Sequence, residues 1–223
     1  NQGDVSSDDM RKNLVPPRES QVEPFLEMIE KVWVDTYTAE VGQQTLRSYI
    51  PKQILLVGSA SYNDDGSTTE GTAEGGRQIV LYSVNDFNFE LEQIQSYAHV
   101  MHHEFAHILH QNVEYDAEFE KITPSYSSSW MQMNDETART KGFITAYASS
   151  SADEDFAEMV SIMLTNSPED WDNMIESAGN ATAVEALRKK EAIVVAYMKN
   201  NWGVDMKDFQ KEVVAAIEAA VRN

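Results

Sequence analysis

All five histidines of the chain fall in one twelve-residue stretch, His99-Val-Met-His102-His103-Glu-Phe-Ala-His107-Ile-Leu-His110. This cluster constrains the fold more than any other feature, because its neighbours recur at helical spacing. At about 100° per residue, Ile94, Ala98, Met101, Phe105, Ile108 and Leu109 share one face, and His99, His103, His107 and His110 share the opposite one. The pattern predicts a helix over 90–111 whose greasy face packs on the core. The histidine face then points to a cleft or to solvent. Within it, His103-Glu104-Phe105-Ala106-His107 has the form HExxH. Two imidazoles at i and i+4 reach one metal ion from the same side, with the intervening Glu104 beside the open coordination position. The competing reading is a solvated polar face that happens to be rich in histidine. His110 lies two turns from His103, roughly 10 Å along the axis, too far to share its metal. His99 and His110 are therefore expected to line the cleft or form hydrogen bonds, and His102, on the flank, to be structural.

Two histidines leave a tetrahedral zinc without a third protein ligand. No histidine follows His110, which excludes the HExxHxxGxxH pattern, so a carboxylate or water must complete the set. The best segment is Tyr147-Ala-Ser-Ser-Ser-Ala-Asp153-Glu154-Asp155-Phe156-Ala-Glu158. On a helix, Phe156, Met159, Val160 and Met163 form a core stripe. Glu154 and Glu158 lie one turn apart on the other face. A solvated acidic face is the plain alternative, and Asp153, Asp155, Glu114 and Glu118 remain rival ligands.

The rest of the chain narrows the class. Seventeen Lys+Arg against 37 Asp+Glu give a net charge of -20, which repels phosphate backbones and argues against nucleic-acid binding. The same field weakly favours neutral or basic peptides. The absence of cysteine removes disulfides, cysteine-ligated zinc, iron–sulfur clusters and a thiol nucleophile. No apolar run is long enough to span a membrane.

Residues 1–20 are polar, with Pro16-Pro17 near their end, and read as a flexible leader. Residues 21–223 read as one domain. A helix is expected across 21–40 from near Glu23-Pro24, and strands at 53–58 and 77–84 with a long loop, 59–76, between them. Further helices are expected at 134–141, 152–166, 168–178, 181–200 and 205–221. Residues 112–133 show no clear period. Trp130 is the aromatic to watch there, since it sits in the segment leading to the site. The order predicts a helix-rich α+β fold with a small sheet and an HExxH helix.

HEFAH followed by Y-x6-E-x-F-A-E resembles the gluzincin metallopeptidases, of the type of the anthrax lethal factor catalytic domain. That resemblance implies a zincin-like fold, zinc bound by His103, His107 and Glu154, and Glu104 as general base. It further implies that Tyr147 stabilises the reaction intermediate and that Glu158 orients a ligand histidine from outside. HEFAHILHQ and its spacing to DEDFAE are similar to the zinc metallopeptidase lipoproteins of gut Bacteroidetes, over about residues 20–223. This implies a peptide or protein substrate, an outer-membrane lipoprotein tethered by residues 1–20 through a lipid anchor upstream, and association with an outer-membrane import system. An extended substrate is expected to pair with the strand at 78–83. Two other functions stay open: a non-catalytic binding or scaffold protein on a zincin fold, and a hydrolase of cell-wall amides.

Overall fold

The computed structural model describes residues 14–62, 68–69, 71–74 and 78–221. Most of the expected leader, residues 1–13, lies outside them, as does much of the segment 59–76. Residues 14–18 run beside the domain: Gly58 N donates to the Val15 carbonyl and Arg18 N to Asn85 Oδ1. These bonds fix the chain before α1 (Glu19–Ile29), which therefore starts ahead of Pro24. A π-helical turn (Glu30–Val34) joins α1 to α2 (Asp35–Val41), and α3 (Gln43–Tyr49) follows.

The sheet is small. β1 (Gln53–Leu56) pairs in parallel with β5 (Gln78–Leu81), and β4 (Gly71–Glu74) pairs antiparallel along the other side of β5. β2 (Ser61–Tyr62) and β3 (Thr68–Thr69) form a separate two-stranded ladder. The expected loop 59–76 therefore contains three short strands. The strand expected to offer substrate an edge is instead central, with neighbours on both sides. Its composition explains this, because Ile79, Val80 and Leu81 are all buried, as strands covered on both faces require. One edge is β1 and the other is β4. β4 lies against the long helix, where a Cβ on Gly71 would come within 2.4 Å of the Val100 side chain, so only glycine permits that approach.

α4 (Leu91–Asn112) is the spine of the molecule. Its apolar stripe packs on the first helices and on α10 (Met206–Ala220). The Phe105 ring lies edge-on to Trp33 at 5.4 Å and to Tyr37 at 4.7 Å, and Phe209 meets Tyr37 from α10. Truncating a ring so enclosed costs about 3–5 kcal/mol, so Phe105→Ala is the change that would loosen α4 from this core. α7 (Ala152–Thr165) crosses α4 with Phe156, Met159, Val160 and Met163 buried. Between them run α5 (Glu118–Ile122), a 3-10 turn at Trp130–Gln132 and α6 (Asp135–Arg139). α8 (Pro168–Glu176) starts with Ser167 as cap and Pro168 in the first turn, and α9 (Ala181–Tyr197) is capped by Asn180. Gly203, at φ +76°, ends the π-helical turn Met198–Trp202 ahead of α10.

Candidate metal centre

The centre forms where the polar faces of α4 and α7 meet. Ser151 caps α7 by accepting from Glu154 N, which fixes Glu154 in the first turn. In a capping box this glutamate would fold back on its own helix end. Here its carboxylate faces α4 instead. Glu154 Oε2 lies 3.0 Å from His103 Nε2 and 3.1 Å from His107 Nε2, and the two Nε2 atoms are 3.1 Å apart.

This donor set fits a metal ion. Ligand bonds of about 2.0–2.1 Å in a tetrahedron place neighbouring donors roughly 3.3 Å apart, close to the observed triangle. Hydrogen bonding alone satisfies such a triangle poorly, because three acceptor-capable atoms converge on one point. With the protein groups alone, burial disfavours the imidazolium of His103, yet Glu154 and Glu158 raise its pKa to about 10. Burial likewise tends to raise Glu154, but His103 and His107 hold it well below the usual carboxylate range. The site demands positive charge.

Each imidazole has its own support. His103 Nδ1 lies 2.8 Å from Glu158 Oε1, which also meets His99 Nε2 at 3.1 Å, while Thr145 Oγ1 donates to Glu158 Oε2 at 2.6 Å. Glu158 is buried, which would raise its pKa, but His99 and His103 keep it ionised. His107 Nδ1 lies 2.9 Å from His110 Nε2. His110 packs against the rings of Tyr115 and Phe156, and its burial lowers its pKa. His99 and His110 thus both make hydrogen-bonding contacts on the ligand helix. His102 points the other way and is fully buried against Tyr37 and Phe209.

Glu104 sits between the two imidazoles in sequence and is half-buried. Burial pushes its carboxyl up, with His103 and His107 opposing. Tyr147 lies on a short 3-10 turn, its ring 5.8 Å from that of His103. Trp130 meets the same ring edge-on at 4.9 Å. Burial, and next the Glu154 carboxylate, raise the Tyr147 phenol, so it stays protonated. The rival carboxylates are engaged elsewhere or exposed. Tyr115 Oη donates to Asp153 Oδ1 at 2.6 Å, Lys190 Nζ to Asp155 Oδ2 at 2.5 Å and Lys121 Nζ to Glu118 Oε1 at 2.8 Å, and Glu114 is exposed. Sequence reasoning missed Thr145 and the Asp155–Lys190 pair, which no motif marks.

Fold and site together give a helix-rich α+β scaffold with a candidate His–His–Glu metal site between two helices. The chain belongs to the family described as "Putative zinc-binding metallo-peptidase", which matches residues 2–207. A crystal structure from Bacteroides caccae with the same description is similar at 32% identity and a TM-score of 0.82, covering 99% of this chain and 85% of that one. No curated protein matches. Among the described residues, no helix is long and apolar enough to cross a membrane.

Proposed function

We propose that the chain is a zinc-dependent peptidase of the gluzincin type, with His103, His107 and Glu154 as the ligands. The observation that carries this reading is the triangle of their three donor atoms, 3.0–3.1 Å on each side. A zinc ion held there supplies Lewis acidity toward a peptide carbonyl and toward a water. Glu104 accepts a proton from the attacking water and returns it to the leaving amine nitrogen. Tyr147, kept protonated, donates a hydrogen bond to the developing oxyanion. Glu158 and His110 hold the ligand imidazoles in one tautomer and orientation. The edge strand β4, which Gly71 lets approach α4, receives the substrate backbone as an added strand.

Metal content by elemental mass spectrometry, on the wild type and on Glu154→Ala in parallel, tests the ligand set. About one zinc per wild-type chain and a clear loss in the variant are expected. No zinc in either, after zinc is supplied, would end the peptidase reading. Resemblance to Bacteroidetes lipoproteins extends the proposal to the outer membrane, with the residues before Leu14 as tether and imported peptides as substrates. Labelled palmitate incorporated into the protein expressed from its full gene is the expected result, and a protein that fractionates unlabelled would remove that extension.

A further inference from the structure

A cleft of about 410 Å³ opens along the first half of α4, beside the metal centre. Two of its lining residues, His99 and Thr145, contact Glu158, the carboxylate that holds His103. His99 and His103 are four residues apart, roughly 6 Å along the helix. With consecutive Cα atoms 3.80 Å apart in an extended chain, that is about the offset between a scissile carbonyl and the side chain of an adjoining residue.

The lining combines apolar Ile144, Ile162 and Met174 with one guanidinium, Arg139, at the end of α6. Arg139 is half-buried. Its Nη1 donates to the Ile144 carbonyl at 3.3 Å, while its Nε is buried without a partner. Among the described residues no carboxylate lies within ion-pair distance of it. The other described Lys and Arg side chains without an ion pair are all exposed, so Arg139 is set apart by its burial. Arg188, by contrast, meets Asp172, Glu176 and Glu191. Two acidic residues, Glu92 and Asp135, also line the cleft, but both are exposed, and Asp135 Oδ1 already accepts from Ala146 N at 2.7 Å. The less solvated charge dominates what a pocket selects, because water screens it least. A buried donor without a partner also calls for one.

We propose that this cleft is the subsite for a residue flanking the scissile bond, and that Arg139 receives a substrate carboxylate there. The enzyme therefore favours peptides carrying Glu or Asp at that position, although its overall charge steers acidic peptides away. The guanidinium fork matches a carboxylate with two parallel hydrogen bonds. Ile162 and Met174 cover the methylene stem. The inference rests on the peptidase reading for its placement beside the reacting bond.

The test uses matched fluorescent peptides with Glu, Gln or Lys at each position around the cleavage site. Cleavage is followed with the zinc-loaded wild type, and binding with zinc-loaded Glu104→Gln. A further pair, ending in a free carboxylate or an amide, separates a side-chain carboxylate from a chain terminus. At one flanking position, Glu should bind about tenfold more tightly than Gln, and kcat/KM should follow. Arg139→Gln should erase that difference. Arg139→Glu should gain a preference for Lys, a readout that impaired folding cannot imitate. Equal binding of Glu and Gln peptides at every position, a preference that survives Arg139→Gln, or a preference confined to the free terminus would overturn the subsite. A wild type that loads zinc and cleaves no peptide would instead count against the peptidase reading, and the binding series would still decide whether Arg139 selects a carboxylate.

Discussion

His107 Nδ1 and His110 Nε2 lie 2.9 Å apart, so one imidazole of the proposed metal centre is held by another imidazole. Only one proton fits between them. If His107 Nε2 is to offer its lone pair to a metal ion, the proton must sit on Nδ1 and His110 must accept it. Burial, which lowers the pKa of His110, keeps that ring neutral and able to accept. The other imidazole, on His103, has the more usual carboxylate partner in Glu158. His110→Phe should fit the space beside Tyr115 and Phe156 yet lower zinc affinity by about 10–100-fold. Competition with a fluorescent zinc chelator measures this, and unchanged affinity would show that His110 only packs.

Tyr147 reaches the site from the 3-10 turn ahead of α7, braced by Trp130. As an oxyanion donor it acts in the transition state and little in binding. Tyr147→Phe should therefore lower kcat by about 10²–10³ with KM nearly unchanged and zinc fully retained. A rise in KM at constant kcat would reassign the phenol to substrate binding.

The helices that build the centre are legible from periodicity, since each of α4 and α7 carries an apolar stripe opposite its ligand residues. HExxH also announces its own geometry, because i and i+4 residues are neighbours on any helix. The meeting of Glu154 with His103 and His107 is a non-local event between residues 47 and 51 positions apart. Spacing puts Glu154 and Glu158 opposite the core stripe but leaves Asp153 and Asp155 as rivals; the Ser151 cap and the packing of Phe156 hold Glu154 toward α4. β4 is hidden for a different reason. Gly71-Thr-Ala-Glu74 has no alternating apolar signal, and it becomes a strand because β5 offers it a partner. Lys190 gives no local sign that its ammonium enters the core.

That lysine forms a fully buried ion pair with Asp155, and both side chains are 0% exposed. Lys190 Nζ also donates to the Gly142 carbonyl and lies 4.3 Å from the centre of the Phe143 ring, and Tyr126 Oη donates to Asp155. The pair ties α9 and the 142–143 turn to the residue after Glu154. Lys190→Met leaves a buried carboxylate unpaired and should destabilise the fold by about 3–5 kcal/mol, on the order of 10 °C in Tm for a chain of this size. Lys190→Met with Asp155→Asn should recover part of that loss. If the double variant is as unstable as the sum of the single ones, the two side chains are not acting as a pair.

His102 sets an acid limit on stability. Burial among Tyr37 and Phe209 lowers its pKa from 6.5 to about 3, with the Val32 backbone only partly opposing. Between those values the unfolded chain holds a proton that the folded chain does not. Falling pH therefore favours unfolding, with a slope of up to about 1.4 kcal/mol per pH unit from this one group. Its effect is absent above pH 6.5, grows as pH drops toward 3, and levels off below. Other groups titrate over the same range, so the measurement is a difference. Urea midpoints of wild type and His102→Leu, both zinc-loaded, are compared from pH 7.5 to 4.5. The variant should lose less stability on acidification, by an amount approaching one proton in slope. Leucine removes the ring contacts at every pH, so a constant offset between the two curves is neutral to the argument. Parallel curves across the whole range would place the acid sensitivity elsewhere.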